Sequence, residues 1–183
     1  MKKILVFSGS NSSKSINTAL VKHIGNQITD ASITFIDLNK YKAPMYDIDL
    51  EKVSGIPESM KQLMEKFNEH DGFIIASPEY NGFMPAFLKS ILDWVSRLSN
   101  PLFQNKPLFL VSTSPGLRGG ETNLKYMADA FQYRGATPIF RFSLPSFNDN
   151  FDSASAKISN EEQAKMLASI SDQFVKSVNL KAD

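Results

Sequence analysis

The sequence predicts an α/β fold in which helices cover both faces of a parallel sheet. Two observations predict it: short apolar runs of four to six residues recur along the chain, and helical periodicity fills the intervals between them. The runs lie at residues 4–7, 33–38, 72–77, 108–113 and 137–142. They lack strict alternation, as strands buried on both faces do. Right-handed crossovers between such strands give a three-layer α/β/α sandwich.

Five helices are predicted from apolar residues that repeat every three or four positions. Their apolar stripes begin at Ile16, Met60, Phe87, Leu124 and Met166. Pro57 and Pro85 precede the second and third stripes, and proline suits the first turn of a helix. Ser159 and Glu162 predict a capping box at the start of the last helix. A length of 183 residues favours a single domain spanning residues 1–183.

Composition argues against several classes of function. Twenty basic and nineteen acidic residues give a formal net charge of +1 without a basic block, so we expect neither a nucleic-acid nor a membrane partner. The absence of cysteine excludes thiolate and Fe–S chemistry. His23 and His70 are far apart in the sequence, and we expect no metal site. The first apolar run is shorter than an export signal requires, which favours a cytoplasmic protein.

The first of three unusual loops is hydroxyl-rich. Ligands of open parallel sheets lie beyond the carboxyl ends of the strands, and FSGSNSSKSINTAL follows the first strand there, with Lys14 as its one charged residue. A loop that leads into a helix N-terminus offers unpaired amides to an anion. Hydroxyls and the amide of Asn17 add donors, so the loop suits a phosphate; the hydroxyls belong to Ser10, Ser12, Ser13 and Ser15. The loop matches neither a Walker loop nor a dinucleotide fingerprint. The alternative to phosphate binding is that its serines only cap the following helix.

The second loop, SPEYNGFMPAF at residues 77–87, follows the third strand. Pro78 ends the strand, and Asn81-Gly82 is a strong turn signal that allows positive φ. Glu79 and Tyr80 are thereby placed at the end of the sheet, where a tyrosine ring and hydroxyl suit an aromatic ligand. The backbone of this loop offers groups that pair with the edge of a heterocycle.

The third loop, STSPGLRGGETN at residues 112–123, follows the fourth strand. Its glycines allow the backbone to approach a ligand closely, and Arg118 is a cation suited to a phosphate. A hydroxyl-rich loop, an aromatic turn and a glycine loop at one end of one sheet suit a planar heterocycle with a phosphate tail.

These loops resemble a known family. GSNSSKSIN at 9–17, SPEYNGFMPAFLKSILDW at 77–94 and STSPGLRGG at 112–120 are similar to the signature loops of the NAD(P)H-dependent FMN reductases. The resemblance implies a flavodoxin-like fold with strand order 2-1-3-4-5, FMN as cofactor and NADPH or NADH as co-substrate. The implied FMN-binding residues are Ser10, Ser12, Ser15, Ile16, Asn17, Pro78, Glu79, Tyr80, Asn81, Gly82, Ser114 and Gly116. The first five belong to the phosphate end, and the others line the flavin ring and ribityl chain.

One position departs from the family pattern. Family members commonly carry an arginine where this chain has Ser12, which leaves Lys14 and hydroxyls to offset the phosphate charge. We therefore expect FMN to bind and to be partly lost on purification.

The resemblance implies hydride transfer from NAD(P)H to the flavin and electron transfer to a small acceptor: a quinone, an azo compound, a metal oxyanion or free flavin. Because both substrates would use one flavin face, we expect ping-pong kinetics, and because the cofactor carries the chemistry, no side chain is named as a catalytic acid or base. Glu79, with a solvent-facing side chain, is expected to matter for shape, and Arg118 to meet a 2′-phosphate. Phe83, Met84 and Leu117 predict an apolar acceptor pocket.

The resemblance also implies a homodimer, or a tetramer, through the helix that contains Trp94. Two other functions stay open: a flavodoxin-type electron carrier with a protein partner, and a flavin-free module that binds a phosphate ligand. The near-neutral charge argues against the carrier, which normally presents a charged docking surface. Residues 143–158 lack periodicity and either cover a neighbouring active site or connect to the last helix.

Overall fold

A computed structural model describes residues 1–180 of the protein. Its main sheet contains five strands: β1 (Lys3–Ser8), β2 (Ser32–Phe35), β3 (Gly72–Ala76), β4 (Leu108–Thr113) and β5 (Ile139–Leu144). All neighbouring pairs are parallel, in the order β2-β1-β3-β4-β5. This arrangement confirms the predicted fold and its strand order.

Helices lie on both faces of this sheet. Their bounds are α1 (Ile16–Gln27), α2 (Ile48–Ser54), α3 (Glu58–Asn68), α4 (Ala86–Val95), α5 (Glu121–Gln132), α6 (Phe147–Asn150) and α7 (Glu161–Leu180). Leu5 and Phe7 of β1 pack with α3, α4 and α5, whereas Ile4 and Val6 pack with α1 and α7. Alternate residues of each strand thus enter opposite apolar cores, which explains the continuous apolar runs.

Several element ends differ from the predictions. The strand predicted at 137–142 begins instead at Ile139, since Pro138 has no N–H to donate to a neighbouring strand. The strand predicted at 33–38 ends at Phe35, and a 3₁₀ turn follows at Leu38–Lys40. The predicted capping box at Ser159 is wrong: the Oδ1 of Asn160 accepts from the N–H of Gln163 at 3.1 Å, which caps α7.

Residues 143–158, which lack periodicity in the sequence, pack against other elements of the same chain. After α6 it forms a short antiparallel hairpin, β6 (Phe151–Asp152) and β7 (Lys157–Ile158). The ring of Phe151 packs edge-on against His23 of α1 at 5.7 Å, and Nδ1 of His23 lies 3.0 Å from the carbonyl oxygen of Ala156. The segment therefore packs on α1 of its own chain.

Neither histidine is suited to carry a positive charge. Burial lowers the pKa of His23 and that of His70, so both favour the neutral form near pH 7. Nδ1 of His70 lies 2.6 Å from the carbonyl oxygen of Lys66. Across residues 1–180, no three His, Cys, Asp or Glu side chains are grouped so as to hold a metal ion. None of the helices in that range has both the length and the apolar character needed to cross a membrane.

Candidate active site

Three loops meet where β1, β3 and β4 end side by side. We call residues 9–15 the first loop, residues 77–85 the second loop and residues 114–120 the third loop. The N–H of Gly9 donates to the carbonyl oxygen of Ala76 at 2.7 Å, and that of Ser77 donates to Val111 at 3.0 Å. These bonds continue the sheet into the loops and fix the starting point of each relative to its neighbour.

The first loop is held by its own serines. The Oγ of Ser10 accepts from the N–H of Ser12 at 3.2 Å, and the Oγ of Ser12 accepts from Lys14 at 3.3 Å. Ser15 is the N-cap of α1, and its Oγ accepts from the N–H of Thr18 at 3.2 Å. Each hydroxyl that accepts keeps its hydrogen for donation. The loop therefore makes its own internal hydrogen bonds and still offers hydroxyl donors.

Asn17 has a different role from the amide donor predicted for it. Its side chain is buried; Nδ2 donates to the carbonyl oxygen of Thr113 at 3.0 Å, and Oδ1 accepts from the N–H of Thr113 at 3.0 Å. This pair of bonds ties α1 to the end of β4. The backbone N–H groups of Ile16 and Asn17 lie in the first helical turn, where amides have no intrahelical acceptor and suit an anion.

The second loop forms the tight turn that Asn81-Gly82 predicted. The backbones of Tyr80 and Phe83 exchange two hydrogen bonds, at 2.9 and 3.1 Å. Asn81 and Gly82 have φ of 55° and 86°, as the central residues of a type I′ turn do. The turn leaves 51% of the Tyr80 side chain exposed. Phe83 is also exposed and packs edge-on against Tyr126 at 5.3 Å. The loop thus presents aromatic surface at the end of the sheet.

The side chain of Glu79 was expected to face solvent, but it contacts α5 instead. Its side chain is half-buried, and Oε2 accepts from the N–H of Asn123 in the first turn of α5 at 2.9 Å. The N-cap of α5 is Gly120, with φ of 81°, and a Cβ there would collide with the Oγ of Ser112. Because glycine has no side chain to cap the helix, a residue of the second loop caps it instead.

Asn123 of α5, three residues after the third loop, holds the second loop from inside the protein. Its Nδ2 donates to the Oγ of Ser77 at 2.9 Å and to the carbonyl oxygen of Pro78 at 3.1 Å. Ser112 adds a further bond, from its Oγ to the carbonyl oxygen of Ser77 at 2.7 Å. All three polar side chains are buried. Sequence reasoning missed them, although the spacing of Asn123, Met127 and Phe131 places an asparagine on the apolar face of α5.

The third loop is held by backbone hydrogen bonds from the segment after β5, and its backbone at Gly116 faces open space. The N–H of Ser146 donates to the carbonyl oxygen of Gly116 at 2.9 Å, and that of Phe147 donates to Ser114 at 3.0 Å. A Cβ added to Gly116 would meet no atom within 4 Å, so this backbone faces open space. Leu117 is 88% exposed, and Arg118 donates from Nη2 to the Oγ1 of Thr122. The open backbone leaves room for a planar ligand.

A comparison with protein families identifies the family and, with it, the cofactor. The family described as NADPH-dependent FMN reductase matches residues 2–149. The chain belongs to this family. FMN is therefore its cofactor, NAD(P)H is its electron donor, and the predicted family membership and enzyme class are confirmed. The site fits FMN, because hydroxyls and helix amides suit the phosphate, while open backbone and exposed aromatic side chains at the same end of the sheet suit the ring.

Individual relatives agree with this FMN reductase assignment. The chain is 30% identical to an uncharacterized protein of Mycoplasma pneumoniae, over 82% of this chain and 91% of that one. It is 38% identical to a quinone reductase of Escherichia coli K12 over 42% of this chain and 41% of that one. It is 33% identical to an NAD(P)H-dependent FMN reductase of Pseudomonas aeruginosa over 68% and 65% of the two chains. The matches to the two named reductases thus span less than two thirds of those proteins.

Solved structures show the same fold. The flavoenzyme NAD(P)H:(acceptor) oxidoreductase FerB of Paracoccus denitrificans superposes with a TM-score of 0.79 at 23% identity and covers 98% of both chains. The apo form of the NADH:FMN oxidoreductase EmoB has a TM-score of 0.72 at 18% identity, over 99% of this chain and 92% of that one. The flavodoxin-like fold predicted from the sequence is confirmed.

Proposed function

We propose that this FMN reductase passes electrons from NAD(P)H, through bound FMN, to a small acceptor of the quinone type. The observation that carries the proposal is that the second loop, with its exposed Tyr80, is bonded to the end of β4 and to the start of α5, the two elements that flank the open backbone at Gly116. Such a surface positions a flavin ring and leaves one of its faces accessible. Azo compounds, metal oxyanions and free flavin are the other acceptors of this class.

Different residues would bind the phosphate of FMN and its ring. The hydroxyls of Ser10, Ser12 and Ser15 and the amides of Ile16 and Asn17 would bind the phosphate. The second and third loops would hold the ring and ribityl chain, through Pro78, Glu79, Tyr80, Asn81, Gly82, Ser114 and Gly116. When bound, FMN would supply hydride acceptance and onward electron transfer, while the chain would orient the ring and bind the substrates.

The acceptor pocket differs from the one the sequence predicts. Phe83 and Leu117 are exposed at the site, whereas Met84 is buried against the core below the second loop. An open surface with two apolar side chains accommodates many flat aromatic acceptors one at a time. Ping-pong kinetics follow from this shared face, and initial-rate lines that intersect when both substrates are varied would contradict them.

The protein assembles as a homodimer, with a tetramer as the larger alternative. The side chain of Trp94 is unavailable for an interface, because it is fully buried and its Nε1 donates to the carbonyl oxygen of Pro44 at 2.9 Å. Exposed apolar side chains lie nearby instead: Met45, Ile48 and Val53 in and before α2. A sedimentation mass of one 20.4 kDa chain at micromolar concentration would reject both assemblies.

Spectroscopy of the purified protein tests the function. The protein is mixed with FMN, freed of excess flavin and titrated anaerobically with NADPH and then with NADH. The expected result is a flavin absorption band that bleaches, followed by its return on addition of a quinone. A bound flavin that does not bleach would instead support an electron carrier for a protein partner. Absence of flavin binding would support a module for another phosphate ligand.

A further inference from the structure

A second cleft lies beside the first loop, on its β2 side. Its volume is about 400 Å³. The cleft exists because β2 ends at Phe35, which pairs with Val6, whereas β1 continues to Ser8. Past that point the edge of β1 is flanked by α1 and by the 3₁₀ turn at Leu38–Lys40 rather than by a strand.

The cleft is lined by hydroxyls and two lysines. Ser10, Ser12 and Ser13 of the first loop contribute one wall. Lys22 reaches the cleft from α1, four residues after Thr18 and hence on the same helical face, and Lys40 reaches it from the 3₁₀ turn. Two ammonium groups and a row of hydroxyls form the donor set of a site for an anion.

Neither lysine is neutralised by the protein. Among residues 1–180, no carboxylate lies within ion-pair distance of Lys22 or Lys40. One carboxylate lines the cleft, that of Asp37, and its Oδ1 already accepts from the backbone N–H and the Nδ2 of Asn39, both at 3.0 Å. With two lysines and one carboxylate, the lining of the cleft has a formal charge of +1, which favours an anion.

A phosphate monoester matches this cleft in charge and in hydrogen bonding. It carries about −1.5 to −2 charges and three acceptor oxygens near pH 7. The first loop alone supplies only Lys14, which does not line the cleft. Phe35, 40% exposed, adds an apolar wall suited to the organic part of a nucleotide.

We propose that Lys22 and Lys40 recognise a phosphate monoester group of a nucleotide in the cleft beside the first loop. The inference rests on the proposed function, which supplies two such groups: the 5′-phosphate of FMN and the 2′-phosphate of NADPH. Both sources share the same chemistry, and they are separable by ligands that differ in that one group.

The test compares two ligand pairs, each differing by one phosphate. FMN and riboflavin are titrated into the flavin-free protein, and 2′,5′-ADP and 5′-AMP into the FMN-loaded protein, by isothermal titration calorimetry. The variants are Lys22→Gln/Lys40→Gln, the conservative Lys22→Arg/Lys40→Arg, and Lys176→Gln, which removes an exposed helical lysine far from the cleft. Thermal melts verify that each variant folds.

The expected result is a loss of about tenfold or more in affinity for the phosphate-bearing member of one pair, with its partner unchanged, as charge-assisted hydrogen bonds predict. Loss for FMN assigns the cleft to the flavin phosphate, and loss for 2′,5′-ADP assigns it to NADPH. The arginine variant retains affinity, and Lys176→Gln leaves all four affinities unchanged.

Three outcomes would overturn the proposal: unchanged affinities in both pairs, equal losses for both members of a pair, or a wild-type protein that does not prefer either phosphate-bearing ligand. If the wild-type flavin bleaches with NADPH while the lysine variants bind normally, the inference fails and the proposed function stands. If FMN does not bind, 2′,5′-ADP is titrated into the flavin-free protein; affinity that still depends on the lysines then supports the inference while the proposed function fails.

Discussion

The two halves of the proposed FMN site are built differently. On the ring side, buried side chains of Asn123 and Ser112 bond the second loop to α5 and β4, the two elements that flank the third loop. On the phosphate side, Ser10 and Ser12 accept hydrogen bonds from amides of their own loop, and Ser12 is exposed. The ring side is therefore fixed by the fold, whereas the phosphate side is fixed mainly by itself.

This difference has an energetic meaning. Buried hydrogen-bonded networks hold one geometry, because breaking one bond leaves a polar group without water. Exposed hydrogen bonds exchange with water at little cost. The ring side should consequently have its bound shape before the cofactor arrives, and the phosphate side should gain order from the cofactor. Substitutions on the two sides test this contrast.

The largest effect is expected at the centre of the ring side. Asn123→Ala removes the bonds from Nδ2 to the Oγ of Ser77 and to the carbonyl oxygen of Pro78. The carbonyl keeps the bond from the Oγ of Ser77 at 3.0 Å, whereas a buried acceptor that loses its donor costs about 1–3 kcal/mol. We expect the free energy of unfolding, measured by urea denaturation, to fall by about 2–4 kcal/mol. Asn26→Ala, at an exposed position of α1, is the control. A loss equal to that of the control would mean that Asn123 does not hold the second loop.

The next effect is expected where the two sides join. Asn17→Ala removes the two bonds to the backbone of Thr113, and we expect a loss of about 2 kcal/mol in urea denaturation because a buried N–H and carbonyl lose their partners. The affinity for riboflavin should fall together with that for FMN, since the substitution shifts the first loop relative to the third. An effect on FMN alone would instead support the phosphate-donor role predicted from the sequence.

A smaller effect is expected at Glu79. Glu79→Gln keeps an oxygen that accepts from Asn123 and loses only the charge at the start of α5, which is worth about 0.3–1 kcal/mol. Glu79→Ala also loses the cap and should cost about 1 kcal/mol more. Steady-state rates of the glutamine variant should stay close to those of the wild type. A drop of about 100-fold or more would show that the carboxylate acts as an acid or base.

The smallest effect on stability is expected on the phosphate side. Ser12→Ala removes one exposed hydrogen bond, and the unfolding free energy should change by less than about 0.5 kcal/mol. FMN affinity, measured by flavin fluorescence, should nevertheless fall several-fold while riboflavin affinity stays constant. Equal losses for both flavins would show that Ser12 shapes the loop and does not serve the phosphate.

The sequence predicts the parts of the molecule that local pattern controls. The five strands, the turn at Asn81-Gly82 and the hydroxyl-rich first loop all follow from neighbours in the chain. The partners of Asn17, Glu79 and Asn123 do not, because each pairs with a residue more than 40 positions away whose placement depends on how the strand ends align. Expecting Glu79 to face solvent was wrong for this reason, since its partner belongs to α5.

Short elements also escaped prediction. The helix α2 spans seven residues and begins at a cap formed by Asp47, whose carboxylate accepts from two backbone amides. Two turns of helix are too few for periodicity to show. Residues 143–158 are ordered instead by contacts to α1 and to the third loop, including the bond from Phe147 to Ser114, and their sequence alone carries no repeat that predicts these contacts.

Amide hydrogen exchange, followed by NMR with and without FMN, tests the contrast between the two sides most directly. The account predicts slow exchange at Ser77 and Asn123 in both states, because their N–H groups donate within the fixed ring side. It predicts fast exchange at Ser12 and Lys14 in the flavin-free protein and slow exchange once FMN, but not riboflavin, is bound. Exchange at Asn123 as fast as at Ser12 in the flavin-free protein would contradict the account.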